Sequence, residues 1–193
     1  WFPAYVVNYI LGGGGFSSRL MEQVREKRGL AYSVYSYLVP FKHGAILSGG
    51  VATENSRMKD SLDIIRAQWK RMAEEGPSEE ELKNAKTYLT GSYPLQLDST
   101  SSIASILVAI QIDNLGIDYL DRRNKLVDAV TLDDARRVAK RLLDPAKLTV
   151  VVVGDPQGLE PTAPEASKGA EGKPPENKTV EGRAPTLSPP LGQ

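Results

Sequence analysis

The residues best suited to chemistry crowd into one part of the chain. "GLAYSVYSYLVP", Gly29 to Pro40, follows the charged segment "SSRLMEQVREKR", Ser17 to Arg28, with almost no linker. A run of arginines passing straight into tyrosine-rich strand formers serves a sheet edge, an anion site or a substrate clamp. Guanidinium and phenol groups are good hydrogen-bond donors to oxygen acceptors, so the choice among the three depends on what else the chain offers.

Hydrolytic motifs fail one after another. A serine triad needs a histidine, and the one histidine, His43, sits in a turn between two strand patterns with no G-x-S-x-G elbow nearby. It reads as a surface residue. There is no cysteine, which excludes disulfides, thiolate metal sites and cysteine nucleophiles. Neither His-x-x-Glu-His nor its inverse occurs, so this chain alone lacks the ligands of a catalytic zinc. The run Gly12, Gly13, Gly14, Gly15 in "GGGGFSS" has no Lys-Ser/Thr ending and follows a helical pattern, which fits neither a P-loop nor a dinucleotide fingerprint. Two readings of it stay open: a connection that lets two helices pack closely, or a loop whose bare backbone approaches an extended peptide.

The whole chain sets bounds on these readings. Its 193 residues suggest one domain, and 40% hydrophobic content is enough for a core. Lys plus Arg equals Asp plus Glu at 24 each, which argues against a general nucleic-acid binder and its basic field. The longest apolar stretches, such as "LTVVVVG" and "IASILVAI", fall far short of the roughly 18 residues a membrane span needs. No signal peptide is visible. The sequence starts without methionine, inside what looks like a helix already under way, and reads as part of a longer protein.

Periodicity predicts the elements that must position the charged stretch. Tyr5, Val6, Tyr9 and Ile10 give a helix over residues 3–11, ended by the glycines. Ser17 or Ser18 caps a second helix with an apolar stripe of Leu20, Met21 and Val24, closed by Gly29. From Ala31 the period changes to two, giving antiparallel strands over 31–39 and 44–53 joined by "PFKHG". A long amphipathic helix over 55–75 carries Met58, Leu62, Ile65, Trp69 and Met72. Ser78 with Glu81 makes a capping box for a helix running to about Tyr93, where Pro94 interrupts it. Helices follow over 99–115, with Ile103, Ile106, Leu107 and Ile110, over 119–127, and after the Thr131/Asp134 cap. The β-branched run Leu148 to Gly154 reads as a strand buried on both faces. Two helices, two strands, five helices and a strand together give an α+β domain, a mostly antiparallel sheet packed against several helices. Residues 157–193, rich in Pro, Glu, Lys and Gly and lacking aromatics, read as a disordered tail, in which the "NKT" sequon at Asn177 carries little weight.

These blocks carry a resemblance. "NYILGGGGFSSRLMEQVREKRGLAYSVYSYLVP", "GPSEEELKNAKTYLTGSYPLQLDS" and "LTVVVVGDP", in that order, resemble the C-terminal half of the pitrilysin/insulinase (inverzincin) peptidases, in particular bacterial relatives of mitochondrial processing peptidase. The resemblance covers residues 4–156 and implies an ordered domain over 1–156, lacking its first strands. It also implies a two-halved clamshell in which an N-terminal half or partner subunit holds zinc and the general base, while this half binds peptide without a metal of its own. The family's substrate-holding arginine and tyrosine, seven residues apart, fall on Arg25 and Tyr32. Their bland alternative is a surface pairing of Arg25 with Glu22 and packing of Tyr32 in the sheet. The resemblance further implies a dimer and a bacterial, periplasmic setting. Two other readings stay open: a non-catalytic structural subunit, or a peptide-binding module.

Overall fold

The computed structural model describes residues 1–41 and 43–159. Helix α1, Phe2–Asn8, starts with a proline in its first turn, where a missing N–H costs nothing, and buries Val6, Val7 and Asn8. The glycines do not end it as the sequence suggests. Tyr9–Gly13 continue as a π-helical turn, and the Gly14 N–H donates to the Tyr9 carbonyl at 2.8 Å. Packing explains the difference. A Cβ on Gly12 would stand 2.5 Å from Ser36 Oγ and 2.7 Å from Ser36 N, so the bare backbone lets the helix end lie directly on a strand. Beside this contact the Ser36 hydroxyl donates to Asn8 Oδ1 at 2.8 Å, with both side chains buried.

Of the two candidate serines, Ser18 caps the next helical segment. Its hydroxyl accepts from the Met21 N–H at 3.4 Å and donates to the Gly15 carbonyl at 2.7 Å. The segment widens to π-helix over Met21–Glu26 and buries Met21 and Val24. Strands β1, Ala31–Phe41, and β2, Gly44–Thr53, pair antiparallel from Ala31↔Thr53 to Phe41↔Gly44. Among the described residues they form a two-stranded sheet.

The rest of the described chain is helical. A 3-10 turn at Asn55–Arg57 leads into α2, Met58–Glu75, which buries Leu62, Trp69 and Met72. The Ser78/Glu81 capping box forms as expected and starts α3, Glu79–Gly91; the helix ends two residues before Tyr93, and Pro94 lies in a 3-10 turn. Helices α4, Thr100–Ile112, α5, Tyr119–Asp128, and α6, Leu132–Leu142, follow, the last with the Thr131/Asp134 box. The Thr131 hydroxyl and then Arg137 hold the Asp134 carboxyl at about 2. Helix α1 sits at the centre, packed on β1, α3, α5 and α6, and one core joins Val6, Leu11, Val24, Met72, Val127 and Leu143. Arg123 on α5, almost wholly buried, donates to the Leu89 carbonyl at 3.0 Å and lies 3.9 Å from the Tyr93 ring, which locks α5 to the end of α3. No single described helix is long and apolar enough to cross a membrane.

Two expectations need correction. Leu148 to Gly154 is not a buried strand: it forms no ladder, and Val151 and Val153 are 83% and 92% exposed. Leu148, Val150 and Val152 are half-buried and the residues between them exposed, so the extended alternation is present. What is lacking is a neighbour, because β1 and β2 pair only with each other among the described residues. On α4, Ile106 and Ile110 are buried with Tyr119, whereas Ile103 and Leu107 face outward. The segment read as a tail lies, from residue 160 on, outside the described residues, as does Asn177.

Arg19 fastens the second helical segment to α3. Its Nε and Nη2 donate to the two Glu81 carboxylate oxygens at 2.6 and 2.7 Å, and Nη2 also reaches the Gly76 carbonyl at 3.0 Å. Burial alone would raise the Glu81 pKa, but the Arg19 hydrogen bonds and the Ser78 backbone N–H outweigh it and hold the carboxyl below its usual range.

Two outcomes are expected. Gly12→Ala should lower stability by about 1–3 kcal/mol, the usual cost of overpacking, read as a shifted denaturation midpoint. Arg19→Met should cost roughly 2–3 kcal/mol, less than for a fully buried pair, since Glu81 keeps some contact with water. Because the folded pKa of Glu81 is depressed, the pair's contribution is present above about pH 4.5 and is lost as pH falls through the lowered value. The gap between parent and variant should therefore narrow in acid, and a gap independent of pH would assign the loss to packing.

Candidate functional site

The end of the second helical segment and the start of β1 are folded onto each other by Gly29. Its φ of +60° is one that side-chain-bearing residues adopt at a cost. The Gly29 N–H donates to the Arg25 carbonyl at 2.7 Å and the Leu30 N–H to the Val24 carbonyl at 2.9 Å, which closes the helical end. Arg57 Nη1 donates to the Gly29 carbonyl at 2.9 Å and the Thr53 hydroxyl to the Leu30 carbonyl, so residues at and after the end of β2 hold the turn from outside.

A β-bulge then sets where Tyr32 points. Ala31 pairs with Thr53 and Ser33 with Ala52, which leaves Tyr32 as the extra residue. Beyond the bulge Val34 and Ser36 are buried while Tyr35 and Tyr37 are exposed, and the inserted residue brings Tyr32 to that outward side as well, at 82% exposure. Tyr35 and Tyr37 stack with their centroids 6.0 Å apart. A strict alternation from Ala31 would have put Tyr32 and Tyr35 on opposite faces.

Arg25 and Tyr32 come together on this surface, with the guanidinium carbon 5.1 Å from the Tyr32 ring centroid. The surface pairing with Glu22 does not form: Glu22 takes Lys27 at 2.7 Å, while the nearest carboxylate to Arg25 is Glu26 at 3.7 Å. The Arg25 guanidinium makes no hydrogen bond among the described residues, so its donors stay available. Sequence reasoning missed one member. Phe16 lies 4.7 Å from the same guanidinium and is 66% exposed. Its signal was faint, a single aromatic inside a glycine and serine run. Gly12 is buried against Ser36, while Gly13, Gly14 and Gly15 lie nearer the surface beside Phe16.

The described residues do not fit a metal. Among them no three or more His, Cys, Asp or Glu side chains gather into a group that could hold one, and His43 is exposed in its turn. What remains is a cationic, aromatic face whose guanidinium and phenol donors suit oxygen acceptors.

Comparison with known proteins gives the family. Residues 1–89 match the family profile described as Peptidase M16 inactive domain. A crystal structure of the peptidase M16 inactive domain from Pseudomonas fluorescens superposes with a TM-score of 0.67 at 31% identity, over 76% of this chain and 34% of that one. The chain belongs to the M16 peptidase family through its inactive domain. An uncharacterized zinc protease of Streptomyces coelicolor is 36% identical over 141 residues, 72% of this chain and 30% of that protein. A Helicobacter pylori protein named as a non-peptidase homolog is 40% identical over 97 residues, half of this chain and 22% of that protein. This M16 domain thus spans about a third of the length of the zinc-protease relatives it matches first.

The role of Gly29 can be isolated, because a Cβ there would meet nothing within 4 Å. Gly29→Ala should cost about 1–2 kcal/mol through backbone conformation alone, and Gly29→Asn less, since asparagine tolerates this region better. Equal losses in a denaturation series would show that the turn, not the residue's conformation, sets the cost.

Proposed function

We propose that this chain is the substrate-binding, metal-free half of a zinc-dependent endopeptidase, with zinc and general base held by residues outside it. The observation that carries the reading is the Arg25 guanidinium, set 5.1 Å from the outward-facing Tyr32 ring by the Gly29 turn and the bulge, with no hydrogen bond among the described residues to occupy it. A guanidinium and a phenol side by side can donate to the carbonyl oxygens of an extended peptide and hold it against a facing catalytic half. The glycine-rich turn beside them leaves room for that half to approach. A closed chamber, a dimer and a peptide substrate belong to this proposal.

A second reading has an observation of its own. The relative named as a non-peptidase homolog is more identical over its matched stretch than the zinc protease from Streptomyces coelicolor. On that reading the same face binds peptide or a partner subunit, and no cleavage follows.

The test uses the complete protein assembled with its zinc-bearing half and an internally quenched peptide. Arg25→Ala and Tyr32→Phe should each lower turnover up to about a hundredfold, the scale of losing one well-placed donor, while the melting temperature stays within about 2 °C. Zinc-dependent cleavage that ignores both substitutions sinks the reading. Peptide binding that responds to them without any cleavage supports the second one.

A further inference from the structure

Phe16 is poorly explained as a packing residue. It sits on the short 3-10 turn Gly15–Ser17, fixed by the bond from the Ser18 hydroxyl to the Gly15 carbonyl, and two-thirds of its surface is open to water. Its defined ring contact is with a cation: its centroid lies 4.7 Å from the Arg25 guanidinium carbon, nearer than that of Tyr32 at 5.1 Å. Two aromatic rings from different elements, one on the glycine-rich turn and one on the β1 bulge, therefore share one guanidinium.

We infer that Phe16 is a positioning residue for Arg25, and that Phe16, Arg25 and Tyr32 together form a cation–π cradle. This inference rests on the peptide-holding reading above and deepens it. An arginine side chain has four rotatable bonds, and a weak contact with Glu26 at 3.7 Å does little to fix them. Ring faces attract the guanidinium without using its N–H donors, so they hold the group while leaving all of its hydrogen-bonding capacity for a ligand. An acidic partner would hold it more firmly but would occupy those same donors. The ligand such a cradle suits is an uncharged oxygen acceptor, a peptide carbonyl, which cannot displace a competing carboxylate but can use an unengaged donor. The peptide-facing role that the glycine run suggests thus passes in part to the aromatic residue that follows it.

One guanidinium–aromatic contact at an exposed site is worth a factor of about two to five in occupancy of the held conformation. The test uses the complete protein with arginine labelled at Nε, and a fluorescein-labelled extended nonapeptide as the binding probe. In the parent, the Arg25 Hε resonance should lie upfield through the ring currents; Phe16→Leu should move it toward the free-arginine position, and Phe16→Tyr should keep it. Phe16→Leu should weaken peptide binding about two- to fivefold with the melting temperature unchanged, and Phe16→Tyr should restore it. In an Arg25→Ala background Phe16→Leu should have no further effect. An Hε resonance indifferent to Phe16→Leu overturns the cradle. Additive losses in the double variant would overturn the positioning role, because Phe16 would then touch the peptide itself. If Arg25→Ala leaves peptide binding intact, the peptide-holding reading fails, and the resonance alone decides whether the cradle exists.

Discussion

The close approach of a bare helix end to a strand is the constraint on which this domain depends. Helix α1 and its π-turn lie on β1 because Gly12 has no side chain to hold them off Ser36. Once that distance is set, α1 packs on α3, α5 and α6 as well as on β1, and Val6 and Leu11 join the common core. The same contact fixes where the chain leaves α1, and so where Phe16 and the segment carrying Arg25 begin. The core and the Arg25–Tyr32 face are therefore not independent: a side chain at Gly12 would strain both.

The face that carries Arg25 and Tyr32 is made by departures from regular geometry. A π-helical segment presents Arg25, a left-handed glycine reverses the chain, and a bulge turns Tyr32 outward. Each carries a cost in local regularity; Ser18 caps the helical segment, and Arg57 and Thr53 hold the glycine turn that leads into the bulge. Side chains on this face stay open to water while hydrogen bonds from other residues fix the backbone beneath them.

Much of this was legible in the sequence, and what was not has identifiable physical reasons. The Ser78/Glu81 and Thr131/Asp134 caps are local hydrogen-bond patterns, so spacing alone finds them. The hairpin follows from the period-two pattern and the turn signals Pro40 and Gly44, although both lie in the ladder and the turn itself is tighter than they suggest. Arg25 and Tyr32 could be named from the family's spacing, but not the bulge that makes them neighbours, because a bulge depends on register between strands. The π-turn through Gly12 and Gly13 runs against helix propensity and is intelligible only once Ser36 is seen beneath it. Phe16 needed the three-dimensional position of Arg25. The valines after Leu148 show the reverse failure: strong strand propensity is a statement about one chain segment, while a ladder is a property of two.

That valine run also bears on how the domain behaves in solution. Val151 and Val153 expose β-branched side chains on an extended backbone, and such segments self-associate more readily as concentration rises. Lys147 and Asp155, both exposed, stand at its two ends as charged gatekeepers of opposite sign. Their charges repel a second copy stacked in register with the first, and favour one running the other way. Association through this patch would therefore respond to salt, which screens those charges.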